Sequence, residues 1–323
     1  MSEEIMNNAM TILKPYFDLM ADLKANGSVI VNERTGEKCW YQSGVHLRLD
    51  VSQYFPANTR KKVGIKGPAG ELLGFFRGYT NAADFESVGT KVWYANANST
   101  NAWLNNPWRK GENDNGLIYG FRDLIDNCIV QDEAERDFYV EQGYEVAVEG
   151  KDGKFAMTRT IKQFDKLLHT LLTNPTDRRM IVTALNANAD KCSLPPCHHT
   201  YTFTYFPDGS LDIECAMRSW DVALAYNIQL ATLFLHLVCR LTGLKPRFMT
   251  LNCSNAHLYE SGMDGVNTML SRDDFHAPTL VLSNNIKKID LSNYKGAFER
   301  IEPEDISLEN YVSHDAIKSK MVA

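Results

Sequence analysis

The chain predicts an α/β protein of the α+β type, a single domain spanning residues 1–323 and built on one mostly continuous β-sheet. Three observations lead there. Segments with strand-like alternation and segments with helical apolar spacing follow one another along most of the 323 residues, with no internal repeat and no low-complexity linker between them. The hydrophobic fraction, 44%, is that of a globular protein. The length is enough to bury a substantial core.

Taken in order, residues 5–25 (IMNNAMTILKPYFDLMADLKA) carry apolar positions at helical spacing, with Pro15 at a start or a break. GEKCWYQSGVHLRLDV (36–51) alternates as a strand does, and GELLGFFRG (70–78) reads as a short buried helix carrying one acid, Glu71. Residues 98–116, rich in Asn and Gly, predict a long loop. The acidic stretch 130–155 reads as an insert, a helix leading to a hairpin at GKDGK. TIKQFDKLLHTLLTNP is an amphipathic helix stopped by Asn174 and Pro175. Strands are expected at 180–186, 199–206 and 211–217, with FPDGS turning the last two into a hairpin. The apolar run 221–242 predicts the longest helix, followed by a strand at 247–259 and a helix at 260–272.

Composition excludes several functions. A formal charge of -6 and a pI near 5.8 give no basic face for coating nucleic acid, although local basic clusters can hold a small anion. The first ten residues are acidic and lack a basic segment leading into an apolar run, and no stretch approaches a membrane span, so a cytoplasmic protein without a membrane or nucleic-acid partner is expected. Seven cysteines include no CxxC pair. Cys192 and Cys197 with His198 and His199 are the nearest approach to a zinc set, and a poor one, so no metal is expected. Most of the seven read as small buried hydrophobes.

Cys197 stands apart because of what the hairpin brings to it. A nucleophilic cysteine works as its thiolate and needs a positive neighbour or a donor. Pairing across FPDGS carries Arg218 to the same sheet end as Cys197, and arginine supplies a charge it cannot lose. A solvated arginine on an edge strand is the plainer alternative. Arg178 and Arg179 enter a strand side by side and so face opposite ways; both reach one anion only if a loop or another subunit intervenes. Arg34 lies on a turn in NERTG.

Together LPPCHH, RSWDVALAYNI, AHLY, NERTG, GELLGFFRG, PTDRR and the terminal SHDAIKSKMVA resemble, in content and order, the thymidylate synthases, from about Val29 to Ala323. The resemblance implies a homodimer with a three-layer fold, in which a large mixed sheet is flanked by helices and packed at the dimer interface. Its substrates would be dUMP, or dCMP, and the co-substrate 5,10-methylenetetrahydrofolate. By the resemblance, Cys197 adds to carbon 6 of the pyrimidine. Arg34, Arg218 and Ser219 bind the phosphate, with Arg178 and Arg179 given across the dimer interface. Asn227 reads the pyrimidine edge. His257 and Tyr259 hold the deoxyribose hydroxyl. Glu71 moves protons through water. Trp93, Asp221, Leu194, Lys61 and Ala323 meet the folate, and the KSKMVA tail closes over the complex.

Departures from the family pattern bear on the reaction. ALAYN is two residues shorter than the usual segment before the pyrimidine-reading Asn, Met217 replaces a usual Gln, Tyr94 a usual Asp, and Leu185 a usual Trp. Met217 is shared with phage deoxycytidylate hydroxymethylases. Once the carbon unit is on carbon 5, hydride from the folate gives dTMP and dihydrofolate, whereas water gives the hydroxymethyl nucleotide and tetrahydrofolate; a dry pocket favours the first. Methylation is therefore the expected reaction and hydroxymethylation the alternative. A non-catalytic nucleotide- or RNA-binding protein is disfavoured by the presence of both Cys197 and Glu71. For a phage-encoded chain the expected compartment is the host cytoplasm.

Overall fold

The computed structural model describes residues 12–33, 35–185 and 190–317. The expected N-terminal helix appears as α1 (Lys14–Asn26), with Pro15 in its first turn, where its missing N–H costs no intrahelical bond. β1 (Ser28–Val31) and β2 (Lys38–Asp50) follow. α2 (Lys66–Arg77) starts earlier than its apolar core at 70–76 and stops at Gly78, which takes the left-handed φ of 68°. α3 (Ala82–Ser87) is capped by the Asn81 side chain. The stretch 98–116 is not the uniform loop expected. α4 (Tyr94–Ser99) runs into it and α5 (Asn101–Leu104) lies within it, because Trp103 is buried and its indole N–H donates to the Asp114 carbonyl at 2.5 Å.

The acidic insert does contain a helix and a hairpin, α6 (Glu133–Glu141), β4 (Glu145–Glu149) and β5 (Phe155–Lys162). The structural unit they belong to starts before 130, since β3 (Asp123–Val130) pairs with β5 along its whole length in a three-stranded sheet ordered β3-β5-β4. This unit buries its own small cluster of Val130, Phe155 and Met157. α7 (Gln163–Thr173) ends before Asn174 and Pro175, as the sequence indicates.

β6 (Ile181–Thr183), β7 (His198–Tyr205), β8 (Ser210–Met217), β9 (Trp220–Asp221) and β10 (Lys245–Tyr259) join β1 and β2 in a seven-stranded mixed sheet, among the described residues, of order β1-β2-β10-β8-β7-β6 with β9 beside β10. β10 runs parallel to β8 and β9, and the remaining pairs are antiparallel. α8 (Tyr226–Thr242) starts later than the apolar run because residues 220–222 pair with β10 instead. α9 (Met263–Leu270) and a small antiparallel sheet of β11 (Thr279–Leu282) and β12 (Ile306–Glu309), joined by the long segment 283–305, follow. No helix among the described residues is long and apolar enough to cross a membrane.

Register gives the sheet two unlike faces. Tyr201, Cys215, Leu251 and Leu47 lie side by side on one face, all buried, and so do Phe203, Ile213, Met249 and Leu49. On the other face Ile181, Thr202, Glu214, Thr250 and Arg48 form a row that is exposed or half-buried. The inner face is covered by α8, whose Phe234 meets Tyr201 and Phe203 edge-on. α2 packs beside it through Phe76 and Phe234. Burying each such side chain contributes about 1.5–3 kcal/mol.

α2 sits unusually close to the segment after α3. A Cβ built on Gly70 would lie 2.4 Å from the Val88 carbonyl oxygen and 3.2 Å from Thr90. Intrinsic helix propensity favours Ala over Gly by about 1 kcal/mol, yet this contact is with backbone and cannot swing away. Gly70→Ala is therefore expected to destabilise by about 1–3 kcal/mol in denaturant unfolding at fixed protein concentration; a higher midpoint would show that the helix has room to spare.

Candidate active site

β7 and β8 converge at one end because His198 pairs with Met217, which leaves Cys197 and Arg218 as the next residues on each strand. The Arg218 N–H donates to the Cys197 carbonyl at 2.9 Å. Its guanidinium folds back over the prolines, Nε donating to the Pro196 carbonyl at 2.9 Å and Nη2 to the Pro195 carbonyl at 2.7 Å. The same Nη2 lies 3.6 Å from the Cys197 Sγ. The convergence expected from the hairpin is thus present, and the edge-strand alternative is not what the arginine does.

Tyr119, which sequence reading passed over, holds the other side of Cys197. Its hydroxyl accepts the Cys197 N–H at 2.9 Å. The ring stacks on His198 at 4.5 Å, and His198 Nδ1 meets the Tyr201 hydroxyl at 2.9 Å. Burial drives the His198 imidazole down to about 3, so it is neutral, and it drives the Tyr119 hydroxyl well above its ordinary value. Within the apolar run LIYGF nothing in spacing distinguishes Tyr119 from a core aromatic.

Glu71 projects from α2 and is 8% exposed. Burial raises its carboxyl to about 8, so it is protonated at neutral pH. The Trp93 indole N–H approaches and offsets part of that rise, but it stops short of a full hydrogen bond and Nε1 is otherwise buried without a partner among the described residues. Cys197 and Glu71 each hold the Tyr119 hydroxyl up when they ionise, which places both near that one group. Trp93 stands 5.9 Å from the Tyr119 ring, edge to face.

A second polar group lies at the neighbouring strand ends. Asp221 in β9 pairs with His257 in β10, and its Oδ1 accepts the Ala223 N–H at 3.0 Å. Burial raises its carboxyl to about 6, opposed by the Ala223 N–H and by Lys61. The Lys61 ammonium is itself buried and donates to the Ala223 carbonyl at 2.9 Å, so it sits inside the protein within electrostatic reach of Asp221 and not on the surface. His257 Nδ1 meets Asn255 Oδ1 at 3.0 Å, and its ring stands edge-on to Tyr259 at 4.9 Å. Asn227, at the start of α8, points its amide to the Met217 sulfur at 3.6 Å, one residue from Arg218. Ser219 and Leu194 are half-buried close by in sequence.

Arg178 and Arg179 are elsewhere. Met180 accepts the Phe203 N–H, six residues along from Cys197 and so roughly 20 Å down the strand. Arg179 there clasps Asp177 with Nε at 2.9 Å and Nη2 at 2.8 Å. Arg34 and Ala323, with the rest of the KSKMVA tail, lie outside the described residues. No three His, Cys, Asp or Glu side chains among the described residues converge as a metal site.

A large sheet that draws a thiol, a fixed cation and a neutral buried acid to one end has the build of an enzyme, and its relatives give the kind. A family model for thymidylate synthase matches residues 14–323. Over 325 residues the chain is 35% identical to the thymidylate synthase of Pseudomonas syringae pv. tomato, covering 96% of this chain and 99% of the relative. It is 34% identical over 322 residues to that of Pseudomonas putida, with the same coverage, and 34% over 313 residues to that of Pasteurella multocida, covering 95% and 98%. The chain belongs to the thymidylate synthase family and is a methyltransferase of nucleotide biosynthesis.

The raised Glu71 carboxyl has a consequence for stability. Its folded value, about 8, lies above the ordinary 4.5. Between these values the folded chain holds a proton that the unfolded chain has lost, so the contribution is full below 4.5 and falls as pH rises through 8. Glu71→Gln removes the dependence. Thermal melts are expected to show the variant gaining on the wild type from pH 5 to pH 8.5; a constant gap would mean that Glu71 is not held neutral.

Proposed function

We propose that the chain transfers the methylene carbon of 5,10-methylenetetrahydrofolate to carbon 5 of dUMP and reduces it there, giving dTMP and dihydrofolate. The observation that carries this reading is the Cys197–Arg218 contact at 3.6 Å, with the buried acid Glu71 acting on the same Tyr119 hydroxyl as Cys197. A guanidinium that close stabilises the thiolate against the thiol. The thiolate adds to carbon 6, and the electron pair moves toward carbon 5 and the 4-carbonyl, where a protonated carboxyl can donate through water. Carbon 5 then takes the one-carbon unit and loses its proton. Expulsion of the folate leaves an exocyclic methylene, which accepts hydride from the folate, and Cys197 departs as the ring double bond re-forms.

The remaining assignments are part of the same proposal. Asn227, beside Met217 and Arg218, reads the uracil edge with one donor and one acceptor, the opposite of what cytosine requires. His257 and Tyr259 take the ribose hydroxyl, Arg34, Arg218 and Ser219 the phosphate, and Trp93, Asp221, Leu194 and Ala323 the folate. Lys61 acts on the folate side through Asp221, the group within its electrostatic reach. Because Arg178 and Arg179 lie far down the strand from Cys197 of their own chain, we assign them to the phosphate of a two-fold partner docked on the open sheet face.

Incubation with [5-³H]dUMP and the folate tests the reaction. Tritium should leave the ring, dTMP and dihydrofolate should accumulate together, and Cys197→Ser should abolish all three. Tetrahydrofolate with a 5-hydroxymethyl nucleotide would establish hydroxymethylation in its place. The shared site has its own test in mixing two inactive variants, Cys197→Ser and Arg178→Ala/Arg179→Ala. Random exchange of subunits in a two-fold dimer should restore about a quarter of wild-type activity, half the dimers having one intact site of two. Recovery of nothing would confine each site to one chain.

A further inference from the structure

A cleft of about 630 Å³ opens between the C-terminal end of α8 and the irregular segment that follows residue 284. That volume lies in the range that holds a small organic ligand, roughly 300–1,000 Å³. None of the residues assigned above to substrate or folate lines it. Four cations border the cleft, Lys287, Lys288, Lys295 and Arg300, against one carboxylate, Asp305. The carboxylate is already engaged, accepting from Ser283 Oγ at 2.5 Å, Asn285 Nδ2 at 3.1 Å and the Glu302 N–H at 3.1 Å. Arg300 is pinned at the wall, donating from Nη1 to the Lys295 carbonyl and from Nη2 to the Asn293 carbonyl.

Internal partners do not explain the cluster. None of the three lysines forms an ion pair among the described residues, whereas Lys14, Lys38, Lys91, Lys154 and Lys162 do. Lys288 has a local reason to be there, since its chain lies over Gly243 at the carboxyl end of α8, where a cation is favoured. Lys287 and Lys295 have none. Glu299 stands at the margin, its Oε2 and the Arg300 Nη1 both beside Gly296, yet the three lysines carry no ion pair among the described residues, so the cleft keeps an excess of positive charge that a bound anion relieves. The rest of the lining selects among anions. Leu241, Ile286 and Ile289, each nearly buried, back the cleft with apolar atoms, and Tyr294, whose ring also stands 5.5 Å from His169, adds an aromatic edge.

We propose that this cleft binds a nucleoside polyphosphate, the base and sugar lying against the apolar backing and the Tyr294 edge and the phosphates among the four cations. A polyphosphate without a base satisfies only the rim, and a nucleoside without phosphates only the backing. The cleft is separate from the chemistry, so its occupancy is independent of the methyl-transfer reading.

Two measurements test the site. Lysine acetylation of the wild-type protein, read by peptide mass with and without about 1 mM ATP and with dUMP present throughout, should show Lys287 and Lys295 protected at least severalfold and Lys14 and Lys154 unchanged. Equal labelling of all four overturns the proposal. In calorimetry, ATP should bind more tightly than adenosine or tripolyphosphate, and Lys287→Glu/Lys295→Glu should weaken it by about tenfold or more without altering turnover of dUMP. Unchanged ATP affinity in that variant, or tripolyphosphate binding as well as ATP, overturns it.

Discussion

The backbone pairing of Cys197 with Arg218 is the constraint on which the rest of the site depends. Two antiparallel strands end together, so the residue before one and the residue after the other are fixed by the ladder itself. The guanidinium then closes over Pro195 and Pro196, whose carbonyls have no strand partner of their own. Proline suits both positions, because it offers an acceptor without a competing donor. A lysine could give the charge but not the fork that grips two carbonyls while reaching the sulfur.

Behind this corner the protein is dry, and that dryness decides which groups are charged. His198 is neutral because it is buried, and its one visible bond, to Tyr201, needs no charge. Glu71 is neutral for the same reason, since only the approach of Trp93 favours its anion. Asp221 is pushed less far because an N–H and an ammonium oppose its burial. Three groups that a sequence reader sees as equally ionisable thus fall into different states through solvation alone.

The strands were the most legible part of the sequence. Alternation exposes a half-buried sheet directly, and FPDGS has the residues a tight turn demands, with Gly209 at φ 80°. The failures have two causes: elements too short for a pattern to register, and bonds to partners outside the local window. Asn-rich 98–116 gives no helical period, yet a buried Trp103 draws two turns of helix out of the segment around it. β1, β11 and β12 are four residues each, too short for a pattern to stand out. Tyr119 lies 78 residues from the N–H it receives, and no local spacing reports such a bond. The contact of Cys197 with Arg218 was legible because a hairpin converts distance along the chain into opposition across a ladder. Glu71 was legible for a different reason, being an acid in a run otherwise fit only for burial.

The unlike faces of the main sheet argue for a division of labour within it. The inner face carries Tyr, Phe, Leu and Met in register and is closed by α8, so it has no capacity left for a ligand. Beyond the edge residue Ile181, the outer face carries Thr202, Glu214, Thr250 and Arg48 in register, which present donors and acceptors in a regular array. Reactive groups are therefore left to the strand ends, where backbone partners run out and side chains such as Arg218 and Asp221 must supply them. The candidate site lies at the rim of the sheet, where burial is deep enough to shift an acid and incomplete enough to admit a substrate.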